Sequence, residues 1–262
     1  MRRVTTLILS SLLLLFLSAG LITDYWWFSA LGHETLFLTG FTSRIKLFLM
    51  SAGLVFGTLL INLAIAQRTK KSKFFPLFVT LSLLSALIAG FFVSGRWLDV
   101  LAYQHATPFG LADPIFAKDA SFYVFTLPVL HLLWGLLFAT GALTLVFISL
   151  HYVLSLPKRP VIDINGIPQV PSFMQLWSRL RGKTHLVLVV SALFLLLAWR
   201  HYLARYAIMY SKSGIVVGAG YTDVHVYLPA MTLLVIVAAL MAVVFLVWLH
   251  YERRLRKRHV VA

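Results

Sequence analysis

The chain has 262 residues, 60% of them hydrophobic and 12% charged, with a formal net charge of +15 and no cysteine. A soluble domain usually carries about 45–50% apolar and about 25% charged residues, so this composition leaves too little polar surface for water and makes lipid the expected solvent. The absence of cysteine excludes disulfides, thiolate metal centres and cysteine nucleophiles, and aromatics set apart from the basic blocks argue against nucleic acid as a partner.

A hydrocarbon layer about 30 Å thick takes about 20 helical residues, each advancing about 1.5 Å. The expected fold is therefore an all-α, polytopic transmembrane bundle, a single membrane domain over 1–262 with about six spans and no soluble domain. Span one, about 4–28, follows Arg2 and Arg3 and carries small residues at Ser18, Ala19 and Gly20, as a signal peptide would. Its apolar run exceeds the usual h-region of about 7–15 residues and leads into Tyr25-Trp26-Trp27-Phe28, so a retained signal-anchor helix is the expectation. Spans two and three cover about 45–66 and 74–93, with Arg68, Lys70, Lys71 and Lys73 between them.

Residues 94–124 are too polar to span and too apolar for a free loop, which fits interfacial helices or a short re-entrant excursion. Span four, about 125–156, is long enough to tilt or project. The connection 157–184 carries Pro157, Pro160, Pro168, Pro171 and Asn165-Gly166, which predict turns and extended chain. An amphipathic piece is expected around Phe173 to Leu180. Spans five and six cover about 185–202 and 227–249, and no internal repeat is visible.

Lys158, Arg159, Arg179, Arg181 and Lys183 lie between spans four and five, and Arg253, Arg254, Arg256, Lys257 and Arg258 close the chain. With the blocks named above, 16 of the 23 basic residues fall on one side if six spans alternate. The positive-inside rule places that side, and both termini, in the cytoplasm of a bacterial inner membrane.

The outer connections 24–43, 94–124 and 203–226 hold six of the eight acidic residues, together with His33, His105 and His225. Asp223 and His225 are two apart, so an extended Tyr221–Val226 segment would point both to one side. Joined by Asp113, Asp119 or His105, they could hold a divalent cation or relay protons. Solvated loop residues, caps and turns use the same residue types, and without a recognisable ligand spacing no metal site is assigned. No cofactor is implied either.

Within the spans, Asn62 and His131 are positioned to hydrogen-bond across helices. Arg200, His201 and Arg205 sit close enough to the end of span five to snorkel as anchors. Gly214, Gly218 and Gly220 miss the nucleotide-loop fingerprints and fit tight turns instead. No nucleophile beside a base announces itself.

Three stretches carry a resemblance. They are 24–34, with Asp24-Tyr25-Trp26 and Gly32; 113–128, with Asp113-Pro114 and Lys118-Asp119; and 218–230, with Gly220-Tyr221 and Pro229. In residues, order and approximate spacing they resemble the N-terminal membrane half of Uncharacterised Protein Family 0182. The resemblance implies a multi-span inner-membrane protein with about seven N-terminal helices and a large extracytoplasmic C-terminal portion. It implies no catalytic residue. The chain departs from that pattern by closing on a basic tail after span six, which reads as a truncated product or one half of a split protein. A scaffold or anchor presenting its outer face to an extracytoplasmic partner domain is the expected role. The alternatives are a transporter or channel component using Asn62 and His131, and a lipid-acting enzyme built from Asp113, Asp119, Asp223 and His225.

Overall fold

A computed structural model describes residues 2–156, 161–162, 168–169, 177, 182–212 and 217–261. The molecule is an all-α helix bundle. Its helices are α1 (Arg2–Ala30), α2 (Glu34–Thr69), α3 (Phe75–Ser94), α4 (Trp97–Gln104), α5 (Leu127–Leu154), α6 (Lys183–Ala204) and α7 (Leu228–Val261). The only strand pairing among the described residues joins Val161-Ile162 to Pro168-Gln169, antiparallel. The turns expected at Pro157, Pro160, Asn165-Gly166 and Pro171, the amphipathic piece apart from Trp177, and Gly214 lie outside the described residues.

Five helical segments among the described residues are long and apolar enough to cross a membrane: Glu34–Thr69, Phe75–Ser94, Phe122–Leu154, Lys183–Tyr210 and Asp223–Glu252. The helix α1 adds 29 residues ahead of them. At 36 residues, α2 is far longer than the span 45–66 expected within it. It extends for about 54 Å, so it must tilt or stand clear of the hydrocarbon.

Local chemistry sets the breaks. At the end of α1 the His33 amide donates to Phe28 O at 2.8 Å and the Gly32 amide to Ser29 O at 3.0 Å. This Schellman arrangement needs the left-handed φ of +74° that Gly32 supplies. Glu34 then opens α2 and accepts the Ser29 hydroxyl at 2.5 Å.

The helices α2 and α3 form one hairpin, α6 and α7 another, and α5 packs on both. Val55, Leu59 and Leu63 of α2, Phe78 and Ala86 of α3, and Phe147 of α5 make the central seam. Small residues allow close approach. A Cβ at Gly90 would lie 2.9 Å from Phe48 Cδ2, and one at Gly141 2.9 Å from Leu193 Cδ2. Buried Ser51, Ser82, Thr140 and Thr144 donate to carbonyls of their own helices four residues back, so none leaves an unpaired hydroxyl in the seam.

Two of the long helices share a local feature at their heads. Phe122–Thr126 and Asp223–Tyr227 are both single π turns, and each runs into Leu-Pro at the head of a long helix. In a continuous α-helix the ring of Pro128 or Pro229 would press on the carbonyl four residues back. In both turns the leucine amide donates five residues back instead, to Phe122 O and Asp223 O. The wider turn makes room for the ring.

Candidate functional site

Alternation of the helices gathers four connections at one end of the bundle. They are the α1–α2 turn, α4 with the loop 105–121, the 3₁₀ turn Arg205–Tyr210 after α6, and the π turn before α7. Two of the motif aspartates build the loop. Asp113 accepts the amides of Ile115 at 2.9 Å, Phe116 at 2.6 Å and Lys118 at 2.9 Å, and the Tyr123 hydroxyl at 2.7 Å. Asp119 accepts the amides of Phe109 at 3.0 Å, Gly110 at 2.8 Å and Ser121 at 2.8 Å. Between them, Ala117 sits at a φ of +53°.

Partial burial pushes the Asp113 carboxyl up. The Phe116 amide, the Tyr123 phenol and the amides of Lys118 and Ile115 outweigh it and hold the group below the usual carboxylate range. The Ser121 hydroxyl, with the amides of Phe109 and Ser121, holds Asp119 further down. These carboxylates spend their lone pairs organising their own backbone.

Asp223 and His225 differ from the sequence expectation. Tyr221–Tyr227 is helical, not extended, and helical residues two apart do not face each other. Asp223 Oδ2 accepts the Gly220 amide at 2.9 Å. His225 stacks on Tyr221, ring centroids 4.0 Å apart, and its Nδ1 lies 3.0 Å from Tyr221 O. His105 follows the last turn of α4 and is exposed. Among the described residues, no three His, Asp or Glu side chains stand close enough together to hold a metal ion.

The basic end of α6 is held by aromatic rings. Arg205 lies between Phe116 of the loop and Tyr202, 5.9 and 5.3 Å from the ring centroids, which fastens the loop to α6. Arg200 stands over Trp134 at 5.1 Å, with its Nη1 3.4 Å from His131 Nδ1. Tyr123, Leu127, Leu203 and Tyr206 form the core beneath. Trp97 of α4 closes on Gly40, where a Cβ would lie 3.2 Å from the indole, and Arg44 stacks on the same ring at 5.2 Å. Asp113 and Asp119 thus tie down the backbone of the loop 105–121, and Leu111 on it, with Val217 and Tyr221 at the same end of the bundle, are 69%, 67% and 78% exposed.

At the opposite end, Asn62 belongs to a chain of hydrogen bonds through three helices. Asn62 Oδ1 lies 2.8 Å from His185 Nε2, and His185 Nδ1 lies 3.1 Å from Tyr152 Oη. One tautomer satisfies both contacts: Nε2–H donates to Asn62, and Nδ1 accepts from the tyrosine. Next to it, fully buried His151 reaches Lys70 O at 2.9 Å and so serves the C-terminus of α2. His131 and Asn62 are thus engaged at opposite ends of the bundle, each with its own partners. Neither His185 nor His151 stood out in the sequence, because a histidine inside an apolar run shows no spacing that reveals its partner.

A cleft of about 970 Å³ opens between α3 and α5. It takes one face of each helix, Ser85 to Val93 on α3 and Leu127 to Leu143 on α5, with Arg96 just past the end of α3 and Tyr123, Ala207 and Tyr210 at the rim. The two helices meet at the other end through Phe78 and Phe147, ring centroids 5.8 Å apart, so the cleft is closed at its base.

The model of the uncharacterised protein family UPF0182 matches residues 2–262. A UPF0182 protein of Methanospirillum hungatei is 32% identical over 247 residues, covering 90% of this chain and 27% of the relative. Those of Moorella thermoacetica and Desulfitobacterium hafniense are 31% and 33% identical over 242 and 275 residues, covering 84% and 91% of this chain and 25% and 27% of the relatives. No solved structure matches. The chain corresponds to the N-terminal part of these relatives and spans about a quarter of their length. It belongs to the uncharacterised protein family UPF0182.

Proposed function

We propose that this chain is the membrane anchor of its family and that its outer layer is the seat for the rest of the protein. The carrying observation is a fixed backbone that presents exposed apolar side chains. Asp113 and Asp119 lock the loop that carries Leu111, and Leu111, Val217 and Tyr221 stay uncovered at this end of the bundle. Ordering a loop costs conformational entropy, and a pre-ordered surface spares that cost when a partner docks. Relatives about four times as long supply a natural occupant. The distribution of basic residues supports both termini in the cytoplasm of an inner membrane, with the layer facing outward.

The test is reconstitution in two pieces. The N-terminal part and the remainder of the Methanospirillum hungatei relative are produced separately, and their association in detergent is measured. Association weakened about tenfold or more by aspartates at the positions equivalent to Leu111 and Val217 is the expected result. Undiminished association, or none with the unmodified pieces, removes the reading.

A further inference from the structure

We propose that the cleft between α3 and α5 binds one membrane phospholipid, an acyl chain filling its depth and the phosphate held at Arg96. This rests on membrane embedding, as the anchor role does, and not on docking of the remaining protein.

Depth is the first argument. Along α3 the cleft runs from Ser85 to the helix end at Ser94, about 14 Å, with Arg96 just beyond, and along α5 from Leu127 to Leu143, about 24 Å. One leaflet contributes about half of the roughly 30 Å hydrocarbon layer. The α3 wall therefore matches the hydrocarbon of a single leaflet, and the longer α5 wall carries the rim on to headgroup depth.

Polarity is the second. Arg96, Tyr123, Tyr210 and His131 lie at or within about two turns of the rim. Below them the lining is aliphatic and aromatic apart from Ser85, whose hydroxyl is spent on Leu81 O at 2.8 Å. A peptide in this floor would leave its backbone groups without partners, whereas an acyl chain has none to satisfy.

Charge is the third. No acidic residue lines the cleft, and Arg96 is its one cationic side chain that is always charged. The other rim groups are engaged: Tyr123 with Asp113, Tyr210 with Tyr123 O, and His131 with Arg200. Arg96 donates its Nε–H to Asp99. A guanidinium has five N–H donors, and the remaining four take no acceptor among the described residues, a fork suited to phosphate oxygens. Asp99 orients that fork and also cancels its charge at long range.

The test is native mass spectrometry of the full chain, purified in mild detergent and titrated with dioleoyl phosphatidylglycerol or with dioleoylglycerol, which has the same tails and no phosphate. The expected result is one tightly retained phosphatidylglycerol. Arg96→Gln should weaken its retention about tenfold and leave dioleoylglycerol unchanged. Asp99→Asn should strengthen phosphatidylglycerol retention. Gly135→Leu should abolish retention of both lipids, because Gly135 lines the cleft and a Cβ there meets nothing within 4 Å, so the fold can carry the larger residue. Absence of a retained lipid, or retention indifferent to Gly135→Leu, overturns the site. Loss with Gly135→Leu but none with Arg96→Gln overturns the placement of the phosphate.

Discussion

Tyr123 Oη lies 2.7 Å from Asp113 Oδ2, ten residues back along the chain, and this hydroxyl joins the loop to the head of α5. A hydrogen bond to a carboxylate exceeds the usual contribution of a neutral one. Tyr123→Phe should cost about 1–2 kcal/mol, read as a fall in Tm of the purified protein. Asp113→Ala should cost more, because three amides lose their acceptor together. Limited proteolysis should then cut between Phe109 and Ala120, where the unmodified protein resists.

Acid should release the same loop. Asp113 and Asp119 have folded pKa values below the unfolded value of about 3.9. Their contribution is complete above that unfolded value and is lost as pH falls through the folded ones. Amide exchange at Phe116, Lys118 and Gly110, corrected for intrinsic rates, should be slow at pH 6 and accelerate below about pH 4. In Asp113→Asn, protection at Phe116 and Lys118 should be weak already at pH 6 and change little with pH.

Ala117 occupies a left-handed conformation at a φ of +53°, which disfavours a Cβ by about 1–2 kcal/mol. Ala117→Gly should raise stability by about 1 kcal/mol after the entropic cost of glycine is set against it. A thermal melt showing no increase in Tm would contradict this.

At the other end, a Cβ on buried Gly182 would fall inside the ring of Tyr152, which is itself 3% exposed. Gly182→Ala must displace the ring and break its bond to His185, so it should cost about 2–4 kcal/mol. Tyr152→Phe keeps the packing and loses only the hydroxyl's hydrogen bonding, to His185 and Thr69, costing about 0.6–1.5 kcal/mol. Equal effects in a denaturation series would show that the ring has room to move.

Hydropathy made the bundle legible. The spans expected at 74–93 and 185–202 lie within a residue or two of α3 and α6, because twenty apolar residues between charged blocks leave little latitude. Motif spacing located the layer at this end of the bundle. Of the two uses open to Asp113 and Asp119, ligand or turn former, the structure shows the turn former: their acceptors are filled by amides of residues 109–121, a partnership that composition cannot show. The pairing of Asp223 with His225 held only for an extended chain, and the segment is a widened helical turn ahead of Pro229 instead. The cleft left no sequence signal, since the apolar residues lining it match those facing lipid.

Each π turn before Leu-Pro holds one residue more than a helical turn needs. That residue rotates everything upstream by about 100° relative to the helix that follows. The helical residues ahead of each turn, Ala120 and Ser121 in one and Tyr221 and Thr222 in the other, therefore lie about a quarter-circle away from where a wheel drawn on α5 or α7 would put them. A single deletion in either turn would swing the segment ahead of it around the axis of that helix while leaving every residue of the helix below in place.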